Sequence, residues 1–62
     1  MNKGDRFVLH HTNGKDYEGI VVSYNLFREP GMEYAIDLEG MADVLFVGEN
    51  FFKDNNVEVL NG

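Results

Sequence analysis

The sequence predicts a single all-β domain of about five short strands, and three observations carry this. Turn signals recur about every ten residues, at Asn13-Gly14, Pro30-Gly31, Gly40 and Gly48, the rhythm of short strands in a barrel or sandwich. Between them, β-branched and aromatic residues alternate with polar ones at the period of two that a half-buried strand imposes. Finally, 62 residues leave room for one domain, spanning 1–62. Such a chain buries only ~60% of its unfolded surface, so no deep substrate pocket is expected.

The first strand is expected over Asp5 to His11, with Phe7 and Leu9 on one face and Val8 and His10 on the other. Asn13-Gly14 ends it, a pair that readily takes the positive backbone angles of a tight hairpin. The second, Tyr17 to Phe27, is long and rich in β-branched residues, with Gly19 where a small barrel strand bends or bulges. Strict alternation places Ile20, Val22, Tyr24 and Leu26 on one face. In the turn that follows, Pro30 fixes the first central position and Gly31 fills the second, a type II signature.

The third strand, Met32 to Leu38, has the cleanest alternation: Met32, Tyr34, Ile36 and Leu38 against Glu33, Ala35 and Asp37. Asp43 to Val47 is a nearly continuous apolar fourth strand whose inward set the pattern leaves open. Gly48-Glu49-Asn50 breaks the chain, Phe51-Phe52-Lys53 has the length of a single 3-10 turn, and Val57 to Leu60 closes the domain.

Eleven acidic against five basic side chains give a net charge of −6, a field that repels polyphosphate and favours encounter with basic surfaces. The absence of cysteine excludes disulfides, thiolate zinc sites and thiol nucleophiles, and fits a reducing compartment. No apolar run of signal-peptide or membrane-span length is present, so the cytoplasm, or a host's cytoplasm for a phage product, is the expected location.

The stretch Lys3-Gly4-Asp5-Arg6-Phe7-Val8-Leu9, the turn at Gly14, and Tyr17-Glu18-Gly19-Ile20-Val21-Val22 opening a second strand on glycine together resemble the Src-homology-3-like barrels. The likeness is to their KOW-type and Tudor-type members. It covers most of the chain and implies a five-stranded small β-barrel with a short 3-10 turn before the last strand. It also implies binding of nucleic acid, proline-rich peptides or methylated basic tails. Phosphate contacts come from Lys and Arg, and Lys3, Arg6, Lys15, Arg28 and Lys53 are outnumbered about two to one, which argues against direct contact with DNA or RNA.

No catalytic constellation is legible. His10 and His11 project to opposite faces of a strand and cannot easily share a metal, Ser23 lies mid-strand without a nucleophile elbow, and the Glu49-Asn50 and Asp54-Asn55-Asn56 clusters read as turn chemistry. Neither a cofactor nor a metal is expected. A binding surface is.

Glu33, Asp37 and Glu39 share one strand face, with residues two apart standing roughly 6.6 to 6.8 Å from each other. Glu18 and Asp43 border that row if their strands pair beside it. Such a row imitates the phosphates of a nucleic-acid strand and fits a basic groove on another protein; the competing reading is a solvated face that limits edge aggregation. Tyr17, Phe27, Phe51 and Phe52 sit near strand ends or turns, where Tyr17, Phe27 and Phe52 are candidate aromatic anchors for a partner or plugs for the barrel ends.

The leading expectation is a non-enzymatic protein-binding module, of the kind phages use as inhibitors or nucleic-acid mimics. A nucleic-acid- or peptide-binding accessory domain and a structural homo-oligomer or assembly subunit are the alternatives.

Overall fold

The computed structural model describes residues 1–60. It consists of β1 (Arg6–His10), β2 (Asp16–Tyr24), β3 (Tyr34–Leu38), β4 (Leu45–Val47), a helix α1 (Glu49–Asp54) and β5 (Asn56–Leu60). All five strands are antiparallel and form one sheet in the order β4-β3-β2-β1-β5. The first four strands follow one another as a meander, and the last returns to pair with β1.

The expected closure into a barrel is not observed, since among the described residues no ladder joins β4 to β5. The physical reason is local. The fourth strand is three residues long, and the chain leaves it at Gly48 to enter α1 instead of continuing as a strand that could reach β5. From that helix, Phe51 and Phe52 pack against a core of Phe7, Leu9, Val21, Tyr34, Ile36 and Leu38.

A second correction concerns the helix, which is six residues of α-helix and not a 3-10 turn. Gly48 is no break but the extended N-cap residue, and Glu49 and Asn50 form the first turn. The carboxylate of Glu49 at the start and Lys53 in the last turn complement the helix dipole. At the other end the carbonyl of Phe51 accepts from both the backbone and side-chain amides of Asn55, at 3.2 and 2.9 Å.

Alternation holds in β1, where Phe7 and Leu9 are buried. In β3 Tyr34, Ile36 and Leu38 are buried and Asp37 is exposed, but Ala35, expected on the wet face, is buried too, between Ser23 and Phe46 where the Arg28 guanidinium reaches both. Met32 lies outside β3 and is exposed. In β4 the inward set is Leu45 and Val47, which pack on the core, while Phe46 faces out.

Strict alternation fails in β2. The register with β3 steps from Val21 opposite Ile36 to Ser23 opposite Ala35, so Val22 is an extra, bulged residue. Before the bulge Tyr17, Gly19 and Val21 point inward; after it the phase reverses, and Tyr24 lies opposite Tyr34 on the inner side with ring centroids 4.6 Å apart. Ile20 and Val22 therefore face solvent instead of sharing a face with Tyr24, and Leu26 lies in the loop beyond the strand.

Two of the three turns in the meander follow closely from their sequences. At Glu29-Pro30-Gly31-Met32 the amide of Met32 donates to the carbonyl of Glu29 at 2.9 Å and Gly31 has φ +87°, the type II turn that Pro-Gly specifies. At His11 to Lys15 only Gly14, at φ +85°, takes a positive angle, and its amide donates to the His11 carbonyl at 3.0 Å. This is a three-residue loop ending in a glycine bulge rather than a two-residue Asn-Gly turn.

Candidate functional site

The pairing register assembles a solvent face across four strands. Val8 on β1 lies opposite Glu18 on β2 and Glu58 on β5; Ile20 lies opposite Arg6 and Asp37; His10 lies opposite Asp16 and Asn56. Glu39 joins this face just past β3, its amide donating to the Glu18 carbonyl at 2.8 Å. Arg6, Glu18, Ile20, Asp37 and Glu39 line a shallow depression there of about 280 Å³. Half-buried Val8 and exposed Ile20 lie diagonally across the β1–β2 ladder with Arg6 and Glu18 on the other diagonal, and Asp16, Asp37, Glu39, Glu58 and His10 share this face.

Little on this face offsets the carboxylates. Arg6 Nη2 meets Glu18 Oε2 at 3.4 Å, with both side chains more than half exposed, an arrangement worth about 0.2 to 1 kcal/mol. His10 Nδ1 lies 2.8 Å from Asp16 Oδ1. Among the described residues Asp37, Glu39 and Glu58 have no ion-pair partner.

Other residues picked out in the sequence lie elsewhere. Glu33 folds onto its own turn, its carboxylate accepting from the Gly31 amide at 3.1 Å. Asp43 is exposed in the bend before β4. Tyr17 is half-buried against the core and accepts from Asn13 Nδ2 through its hydroxyl at 3.1 Å. Phe52 is edge-on to Phe7, Tyr34 and Phe51, at centroid distances of 5.6, 5.2 and 5.4 Å. Phe27 alone of the three candidate anchors is free, 98% exposed at the tip of the β2–β3 loop.

That loop is firmly held. The carbonyl of Glu33 accepts from the Asn25 amide at 2.9 Å and from Arg28 Nη1 at 3.1 Å, and Asn25 Oδ1 accepts from the Phe27 amide at 2.9 Å. Arg28 Nη2 donates to Ser23 Oγ at 2.7 Å while the guanidinium lies 5.2 Å from the centroid of the Phe46 ring. The glycine of the type II turn rests on the start of α1, so close that a Cβ on Gly48 would stand 2.8 Å from Gly31 Cα.

Where the loop meets the helix, an open groove of about 590 Å³ is lined by Tyr24, Tyr34, Phe46 and Phe51 together with Glu33 and Glu49. Sequence reasoning missed this convergence, and missed Asp16 and Glu58 on the solvent face. The groove joins residues from β2, β3, β4 and α1, which no local pattern brings together. Glu58 was detectable in principle, as the polar residue between Val57 and Val59, but its face depends on β5 pairing with β1.

Burial raises the Tyr34 phenol above its ordinary range, with smaller upward contributions from Glu49, Tyr24 and Glu33. The folded state thus holds this proton more tightly than the unfolded chain does. Its contribution to stability is complete below the unfolded value of about 10 and is lost as pH rises beyond it. Urea titrations at increasing alkaline pH are expected to show a falling midpoint, and Tyr34→Phe should flatten that fall.

Among the described residues no helix is long and apolar enough to cross a membrane, and no three His, Asp or Glu side chains are grouped to hold a metal ion. In comparison with known proteins, no family model, curated protein or solved structure matches this chain.

Proposed function

We propose that this chain is a non-enzymatic protein-binding module that docks a basic partner on the solvent face of its sheet. One observation carries the reading: on the solvent face of the sheet Val8 and Ile20 lie among five carboxylates, those of Asp16, Glu18, Asp37, Glu39 and Glu58, against one arginine, Arg6, and His10. Apolar contact flanked by charged side chains is the anatomy of a protein interface, and the excess of carboxylates selects a basic counterpart and speeds encounter with it. Phe27, exposed on a held loop, is the aromatic anchor of this reading. Kinship with the Src-homology-3-like barrels is supported by five antiparallel strands with one helical element before the last. The cytoplasm, the host's for a phage inhibitor, is the setting we assign.

Affinity capture from the native host tests the reading. The unchanged chain is expected to retain a partner that high salt releases, because screening shortens to about 3 Å near 1 M. The variant Glu18→Lys, Asp37→Lys, Glu39→Lys should lose that partner while keeping its circular dichroism spectrum. Equal recovery by the variant, or a mobility shift of DNA or RNA by the unchanged chain, would overturn it.

A further inference from the structure

We propose that the groove between the β2–β3 loop and the start of α1 is a second recognition surface, which seats an arginine or lysine side chain of an extended basic peptide. It lies at the β4 end of the sheet, where Tyr24 and Tyr34 occupy the inward phase beyond the Val22 bulge and Phe46 faces the other way, and none of Glu18, Asp37 and Glu39 lines it. The inference rests on the partner being basic, but names a different point of contact.

Charge and ring chemistry select this occupant. Glu33 and Glu49 line the groove and neither lysine nor arginine does; the cations beside it are the Met1 ammonium, 3.4 Å from the Tyr34 hydroxyl, and the Arg28 guanidinium over Phe46. A cation entering it meets two carboxylates and the rings of Tyr24, Tyr34 and Phe51, groups that attract a cation through ring quadrupoles and direct charge. Phe46 already holds the Arg28 guanidinium 5.2 Å from its centroid, so one rim ring is engaged in this interaction within the fold. The upward displacement of the Tyr34 phenol has the same origin in part, since Glu49 and Glu33 bias this spot against further negative charge.

The volume of about 590 Å³ falls within the range of small-ligand sites and exceeds what one guanidinium fills, leaving room for flanking backbone. The walls are preorganised. Glu33 is fixed by the Gly31 amide, and the turn itself is seated on Gly48. Tyr24 is 43% exposed, so its ring is reachable without opening the core.

Amide chemical-shift mapping tests this, with the acetylated, amidated peptide Gly-Arg-Gly-Arg as probe and Gly-Glu-Gly-Glu and Gly-Leu-Gly-Leu as controls. The arginine peptide is expected to shift the amides of Tyr24, Tyr34, Gly48 and Glu49, with Glu49→Gln and Tyr24→Leu each weakening binding about tenfold. Both substitutions are at exposed side chains, and an unchanged spectrum elsewhere confirms that each variant is folded. Binding of the leucine peptide in place of the arginine peptide would overturn the proposal. So would a self-association that covers the groove, or equal affinity in both variants. Shifts confined to Glu18, Asp37 and Glu39 would overturn the groove while leaving the carboxylate face as the docking surface. The converse pattern would retain the groove alone.

Discussion

Gly19→Ala is expected to lower stability by about 2 to 3 kcal/mol, enough to leave much of the population unfolded. In an ordinary strand the same change stabilises by roughly 0.5 to 1 kcal/mol, because glycine loses more backbone freedom on folding. The opposite sign here comes from one contact. Gly19 lies opposite Phe7, and an added Cβ would fall against that ring, 2.7 Å from Cε2 and 3.0 Å from Cε1.

The ring cannot retreat, since Phe7 is fully buried and backed by Phe52. The backbone of β2 is equally confined, paired with β1 on one side and β3 on the other. A core of this size supplies only roughly 3 to 5 kcal/mol, so the loss consumes most of it. Urea denaturation reads the effect directly. Adding Phe7→Leu should restore part of the midpoint by vacating the space, and an unshifted midpoint in Gly19→Ala would show that the contact is soft.

The second large effect is expected at Phe52→Ala, a loss of about 3 kcal/mol, near the lower end for removal of a core phenylalanine. Phe52 is only half-buried, but it is the hub of an aromatic cluster, edge-on to Phe7, Tyr34 and Phe51. Removing it withdraws the helix from the sheet as well as opening a cavity. In thermal unfolding this amounts to a fall of more than about 10 °C for so short a chain.

Phe27→Ala provides the internal contrast, with stability held to about 0.5 kcal/mol because the ring touches solvent on nearly every side. On the proposed function the order reverses for partner binding, where Phe27→Ala is costly. Equal stability losses for the two phenylalanines would contradict their assigned environments.

Those two residues show how far the sequence could be read. Both were plausible anchors, as aromatics near breaks in the strand pattern, and nothing within a few residues of either separates them. Phe52 is claimed by Phe7, forty-five positions away in the chain (52 − 7), whereas the Phe27 ring is 98% exposed at the loop tip and, among the described residues, meets no distant residue in an aromatic pair. The carboxylate row shows the same division. Asp37 and Glu39 were placed on the solvent side by period-two alternation alone, but Glu33 was drawn out of the row by the Gly31 amide, and Asp16 and Glu58 entered it through pairing.

By itself the sequence determined the number and order of the strands, the inward set of β1, the inward placement of Tyr34, Ile36 and Leu38 in β3 though not the burial of Ala35, the type II reversal at Pro30-Gly31 and the acidic balance. Each depends on intrinsic backbone preference or on neighbours one to three residues apart. Only the tertiary structure decided that Val22 bulges and reverses the phase of β2, that β4 and β5 remain unjoined, and that Glu49 begins a helix. It alone brought four aromatics and two glutamates to one groove. These outcomes depend on the registers and packing that distant segments impose on one another, and alternation along a single strand holds no information about its partner.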